Sequence, residues 1–280
     1  MKFTAEQIKT FVKKTAKGNS TISQITIRNY IMERFLERLS LSEFKNKFIL
    51  KGGLLIASIV GLDTRATMDI DTTAKNLSLS VQTATEIITK IISIPIDDGV
   101  SFVIKDVSVI MDDAEYNGVR ASLEATIDAM RTPLKIDIST GDTITPGEID
   151  YKFNLMFEDR SIVILAYNIE SVLAEKLETV ISRGTANTRL RDFYDIYILQ
   201  NIPSQSISHA TLKAAFAATC AKRNSAFLLV DSSKILSEIE TSLEMQKLWL
   251  NYQKKFSYAN DISWETVMQS IRDLFKLTTS

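Results

Sequence analysis

Lys51-Gly52-Gly53-Leu54-Leu55 … Arg65-Ala66-Thr67-Met68-Asp69-Ile70-Asp71 is the stretch on which the reading of this chain turns. Phe48-Ile49-Leu50 leads into it and reads as a short strand ending at the Gly-Gly turn. Leu54 to Val60 reads as a buried helix ended by Gly61. Thr67 to Thr72 reads as a strand that carries both aspartates. Residues i and i+2 of a strand share a face, so Asp69 and Asp71 stand side by side while Ile70 points away. Two adjacent carboxylates repel unless a cation lies between them. A hard divalent ion, held by oxygen ligands and substrate phosphates, is the usual solution. A glycine turn upstream brings backbone N–H groups close to such phosphates. The pattern therefore predicts a metal-dependent site for nucleoside triphosphate chemistry. Asp-x-Asp alone is equally at home on a solvated loop; the Gly-Gly turn and the Arg65/Thr67 pair give it direction.

Outward from this stretch the chain changes character once. Upstream, Thr4 to Lys14 and Ile22 to Leu39 read as amphipathic helices. In the second, Ile27, Tyr30, Ile31, Phe35 and Leu39 form the apolar face and Arg28, Glu33, Arg34 and Glu37 lie mostly opposite. Downstream, Val81 to Ile92 reads as a helix closed by Pro95 and the Asp97-Asp98-Gly99 turn. Phe102 to Ile104, Val107 to Ile110, Gly118 to Ile127 and Leu134 to Ile138 are β-rich, with Asn117-Gly118 as a tight turn. After Ile162 to Leu165 the pattern is helical: Ile169 to Ser182, Arg189 to Gln200, His209 to Lys222, Ser233 to Lys255 and Ser263 to Lys276. An α+β chain follows, with an α/β domain over residues 1–165 and an α-helical domain over 166–280.

Composition narrows the functional classes. The 280 residues are 45% hydrophobic and 24% charged, which supports a buried core and excludes global disorder. The net charge of −1 argues against a bulk polyanion binder. Any nucleic-acid contact must come from a local patch, with Lys45, Lys47, Lys51, Arg183, Arg189, Lys222 and Arg223 as candidates. Cys220 is the lone cysteine, so an intramolecular disulfide and a Cys-based zinc site are excluded. His209 is the lone histidine and stands at the start of a helix. No apolar stretch is long enough to span a membrane, and the N-terminus lacks a signal-peptide core, so a cytoplasmic location without membrane contact is expected.

Three more features carry chemistry. In Leu134-Lys135-Ile136-Asp137-Ile138 the alternation turns Asp137 away from Ile136 and Ile138. If that strand neighbours the aspartate strand, three acids converge, as two-metal phosphoryl transfer requires. In Ala174-Glu175-Lys176-Leu177 the lysine lies beside the apolar stripe Ile169, Leu173, Leu177 and Val180. A partly buried lysine needs an anionic partner; the alternative is that it snorkels to solvent. In Arg189-Leu190-Arg191-Asp192-Phe193-Tyr194-Asp195-Ile196 the two aspartates share one helical face among aromatic residues.

Lys-Gly-Gly-Leu-Leu … Arg-x-Thr-x-Asp-Ile-Asp, then Ala-Glu-Lys-Leu, then Arg-x-Arg-Asp-x-Tyr-Asp-Ile together resemble the AbiEii/AbiGii toxin family. The resemblance covers about residues 20–200. It implies a DNA polymerase β-like nucleotidyltransferase core with a mixed sheet, followed by a helical domain. It implies use of a nucleoside triphosphate with Mg²⁺ or Mn²⁺, and nucleotide transfer to an RNA acceptor such as the 3′ end of tRNA. It implies membership of a toxin–antitoxin or phage abortive-infection system, with a cognate antitoxin as a possible partner. By position, Gly52 and Gly53 would line the triphosphate, Arg65 and Thr67 would border the nucleotide, and Asp69 and Asp71 would bind the metal. Lys176 and Asp192 match the essential lysine and late aspartate, ahead of Asp195, and Asp137 is the third carboxylate. Gly53 stands where many nucleotidyltransferases carry serine. Two alternatives remain: transfer to a protein target, by nucleotidylation or phosphorylation, and a non-catalytic nucleotide-binding scaffold.

Overall fold

The computed structural model describes residues 4–110, 118–202 and 206–279. Seven strands form one mixed sheet in the order β3-β4-β5-β2-β1-β7-β6. They are β1 (Phe48–Lys51), β2 (Ile70–Ala74), β3 (Val100–Ile110), β4 (Gly118–Ile127), β5 (Met130–Thr140), β6 (Ile149–Asn154) and β7 (Ser161–Ala166). The chain divides into two compact units. The first is Met1–Asp142 with Ile149–Ala166, and the second is Thr143–Glu148 with Tyr167–Ser280.

The first unit carries the sheet with α1 (Ala5–Ala16), α2 (Ser20–Leu41), α3 (Gly52–Val60) and α4 (Val81–Ile92). Thr4 starts α1 through a capping box with Gln7. Strict alternation makes β4 half-buried: Val119, Ala121, Leu123, Ala125 and Ile127 face the core. Ile136 pairs with Ala121 on one side and Ile70 on the other, so one face of the central strands is apolar. Residues one step away, including Asp71 and Asp137, occupy the other face.

The second unit is helical: α5 (Ile169–Arg183), α6 (Leu190–Gln200), α7 (His209–Lys222), α8 (Ser232–Thr241), α9 (Leu243–Lys255) and α10 (Trp264–Thr279). Its core includes an aromatic cluster in which Tyr194 of α6 meets Tyr252 and Tyr258, and Phe193 meets Trp264. No helix among the described residues is long and apolar enough to cross a membrane.

Several expectations need correction. The aspartate strand begins at Ile70, so Asp69 precedes it in a bend and only Asp71 lies within it. The expected helix Ser233 to Lys255 is two, broken at Ser242, whose side chain caps α9 by accepting from the Met245 N–H. The two short β-rich runs around residue 105 are one strand, with a bulge between Ile104 and Asp106. Strand β6 was not anticipated, and Asn117 of the expected turn lies outside the described residues. The polar side of α2 is not solvated: Glu33, Arg34, Glu37 and Arg38 are all buried. Arg34 pairs with Glu37 and Glu158, Arg160 reaches Glu37, and Arg38 forks onto Asp98 at 2.7 and 3.0 Å. Burial pushes the Glu33 carboxyl up to about 8, against the pull of a Met156 N–H bond and of Arg34. Long-range partners turned a charged stripe into an internal network, which amphipathic spacing cannot foresee.

Candidate active site

The site in the first unit is built from the junction of β1 and α3. Lys51 ends the strand in an extended conformation, and α3 begins at once with Gly52 and Gly53. Gly52 has φ +65, a region that favours glycine. A Cβ there would lie 2.7 Å from the Asp71 Cβ and Cγ. A Cβ on Gly53 would lie 2.7 Å from the Thr67 hydroxyl and 3.4 Å from the Arg65 guanidinium. Both glycines are therefore demanded by contact with the residues singled out from sequence. The Lys51 side chain does not cap α3, so the helix starts with amide N–H groups that an anion can accept.

Register does the rest. Lys51 of β1 lies opposite Asp71 of β2, Asp71 opposite Asp137 of β5, and Asp137 opposite Arg120 of β4. Paired residues share a face, so these four form one charged row across four strands. The Asp71 carboxylate accepts a long bond, 3.4 Å, from the Gly53 N–H. Burial raises the Asp71 carboxyl above its ordinary range, and the Asp137 charge adds to this. Lys51 and the Gly53 amide pull the other way. Asp69 is half-buried and makes no hydrogen bond or ion pair among the described residues.

The strand bearing Asp137 does neighbour the one bearing Asp71, yet Asp137 is engaged elsewhere. Both its oxygens accept from Arg120, at 2.7 and 2.6 Å. Among the described residues no three metal-ligating side chains gather around one point. Asp69 and Asp71 nevertheless suit a small hard cation, which is held by one or two carboxylates and completed by substrate phosphates. The buried Asp71 carboxyl beside a helix start, with the like charge of the half-buried Asp69 next to it, is the donor chemistry such an ion needs.

Lys51 was placed by sequence among the cations for a nucleic-acid groove. In the structure its ammonium lies 2.5 Å from Asp142, and both side chains are largely buried. Asp142 also accepts from Ser139 at 2.6 Å. Burial alone would raise the Asp142 carboxyl, but Lys51, Ser139 and Thr73 hold it below the usual range. Sequence reasoning missed Asp142 and Arg120. The alternation of β4 put Arg120 on the polar face, but only register sets it against Asp137.

The second unit holds its own cluster. Lys176 on α5 lies 2.7 Å from Asp192 and 2.7 Å from Asp195 on α6. Lys176 is 13% exposed, whereas Asp192 and Asp195 are 4% and 0% exposed at their side chains. The Arg189 guanidinium approaches Asp192 at 3.2 Å. Lysine and both aspartates thus meet, and Asp195 is as much a partner of the lysine as Asp192. Lys176 does not snorkel to solvent.

The description "Nucleotidyl transferase AbiEii toxin, Type IV TA system" matches residues 34–270. The chain is similar in fold to the crystal structure of JHP933 from Helicobacter pylori, at 14% identity and a TM-score of 0.52. That alignment covers 91% of this chain and 92% of that one. A second Helicobacter pylori structure, provisionally described as a nucleotidyltransferase, aligns at 14% identity and a TM-score of 0.48, covering 91% and 95%. No curated protein matches. With most of its length matched by one family description, the chain belongs to the AbiEii nucleotidyl transferase toxin family.

Proposed function

We propose that this protein transfers a nucleotide from a nucleoside triphosphate to an RNA acceptor, the 3′ end of tRNA in the first instance. Blocking translation in this way would arrest growth in a toxin–antitoxin or phage abortive-infection system, with a cognate antitoxin as partner and the cytoplasm as the place of action. The observation that carries the reading is the Gly52–Gly53 helix start set against Asp71 across β1 and β2. It combines an anion-binding backbone with carboxylates that call for a cation.

Asp69 and Asp71 would hold Mg²⁺ or Mn²⁺, which supplies positive charge against the triphosphate. The amide N–H groups at the start of α3 would donate to phosphate oxygens, and the absence of side chains at Gly52 and Gly53 lets the backbone approach. Thr67 and Arg65, packed against Gly53, would border the nucleotide. The acceptor hydroxyl oxygen attacks the α-phosphorus, the bond from that phosphorus to the β-phosphate oxygen breaks, and pyrophosphate leaves. The hydroxyl proton passes to a carboxylate. Asp137 is the poorer acceptor for it, because both its oxygens are taken by Arg120. Lys176 and Asp192 are taken as required residues of the helical unit.

The test is incubation of purified protein with total RNA and each triphosphate, labelled in turn at the α and γ positions. Label retained on RNA from the α position alone is the expected result. Label on protein, or from the γ position, would replace this reading with protein modification. No triphosphate binding in the presence of Mg²⁺ or Mn²⁺ would leave a non-catalytic scaffold.

A further inference from the structure

Lys9, Lys13 and Lys14 lie on α1, Lys17 directly follows it, and all four are exposed. The helix buries Ala5, Ile8, Val12 and Ala16, which leaves its other side to solvent. Lys9, Lys13 and Lys17 recur at four-residue spacing, about 6 Å of axial rise each, and form one stripe. None of the four ammonium groups has an ion-pair partner among the described residues. That sets them apart from Arg34, Arg38, Lys51, Lys176 and Arg223, each of which holds a carboxylate. The one acid on the helix is Glu6, so on a chain of net charge −1 this is a local excess of positive charge.

Its place within the first unit matters. Phe11 of α1 stacks on Phe157 at 4.8 Å, and the Tyr30 ring of α2 joins them at 6.0 Å. The residue before Tyr30 in α2, Asn29, donates to the Thr67 carbonyl at 3.2 Å. One turn of α2 therefore joins the lysine helix to the loop that carries Thr67 into contact with Gly53.

We infer that the lysine face of α1 binds the sugar–phosphate backbone of the acceptor RNA. The inference rests on the transfer reading above and assigns the surface that holds the acceptor. Lysine is a mobile point charge that neutralises phosphate without reading sequence. The sole aromatic side chain on α1, Phe11, is spent on Phe157, so the face offers charge and not base stacking. An anionic membrane is the poorer match, because a surface helix must insert its apolar side, and here Ile8 and Val12 are fully committed to the protein interior.

The experiment titrates fluorescently labelled bulk tRNA, without triphosphate, against the full chain at several salt concentrations. It compares wild type, the quadruple variant K9Q/K13Q/K14Q/K17Q and Asp69→Asn. Each phosphate neutralised adds about 0.7–0.9 to the slope of log K against log salt, so the quadruple variant should lose roughly 3 from that slope. Its affinity at low salt should fall at least about tenfold, while its binding of a fluorescent triphosphate stays that of wild type. Asp69→Asn should keep the wild-type slope. An unchanged slope in the quadruple variant, or no tRNA binding by wild type, overturns the inference. So does binding to phosphatidylserine vesicles that depends on these lysines while tRNA binding does not. If the lysine-dependent slope is seen but no nucleotide is transferred, the surface assignment stands and the transfer reading fails. If the quadruple variant binds tRNA unchanged and still labels it, the reverse holds.

Discussion

In the helical unit Asp192 and Asp195 share the Lys176 ammonium at 2.7 Å each, with Arg189 beside them. In the sheet unit Asp71 stands beside Asp137 with a Gly53 amide at 3.4 Å, while the nearby cations Lys51 and Arg120 grip Asp142 and Asp137. Both groups contain buried acids, but the Lys176 ammonium meets both aspartates of the first, whereas in the second Arg120 takes Asp137 and Asp71 has, among the described residues, only the long bond from the Gly53 amide. In the sheet site burial and the Asp137 charge disfavour the charged form of Asp71, which Lys51 and the Gly53 amide offset only in part. A protein gains by keeping such a state only if something positive arrives later. The difference separates a self-neutralised ion cluster from an acidic site whose charge the protein offsets only in part, the property on which the proposed ligand role rests.

Asp69→Asn and Asp71→Asn test this most severely. Each should reduce nucleotide transfer by roughly a thousandfold or more, about 4 kcal/mol of barrier, with the thermal midpoint unchanged or raised, since a repelling charge is removed. A folded variant with wild-type label incorporation would end the assignment. Lys176→Met should do the opposite to stability. It strands two buried carboxylates and should cost about 3–5 kcal/mol in urea unfolding. The triple change with Asp192→Asn and Asp195→Asn should recover much of that loss. A Lys176→Met protein as stable as wild type would show that the cluster is not self-neutralising.

Gly53→Ser probes the contact that shapes the helix start. Its side chain must displace the Thr67 hydroxyl, which should cost about 1–3 kcal/mol. Adding Thr67→Ala should relieve most of it, as unfolding midpoints would reveal. No cost in the single variant would mean that the loop yields freely.

The smallest effects are in pH dependence, and their signs are opposite. The folded Asp71 carboxyl lies above its unfolded value. Its contribution is therefore full below the unfolded carboxylate range and is lost as pH rises through the folded value. The folded Asp142 carboxyl lies below its unfolded value. Its contribution is present above the ordinary range near 3.9 and is lost as pH falls through the folded value. Stability measured from pH 3 to 8 should show Asp71→Asn flattening the decline on the rising side and Asp142→Asn flattening the acid-side loss. Equal effects on both limbs would contradict the contrast.

Legibility in the sequence followed the range of the interaction involved. Helices α4 and α7 and strand β4 were readable to the residue, because caps, alternation and turn residues are local. The Gly-Gly turn and the Lys176 and Asp192 motifs were readable for the same reason. The start of β2 was misread because Met68-Asp69-Ile70-Asp71 alternates as a strand does, although pairing begins only at Ile70 with β5 and at Asp71 with β1. The break at Ser242 was hidden by helical periodicity that continues across it, and the burial of Glu33, Arg34 and Glu37 by partners more than 120 residues away.

The amino-acid order by itself determined that glycines precede an acidic strand, that the chain passes from sheet to helices, and which side chains carry charge chemistry. These are properties of short segments, set by backbone sterics and side-chain period. The folded chain decided which charges meet. Lys51 and Asp142 are 91 residues apart, and strand register aligned Lys51, Asp71, Asp137 and Arg120. A one-residue slip would have sent any of them to the opposite face; a strand's own alternation sets which face each residue takes, but which residue stands opposite is decided with its neighbours.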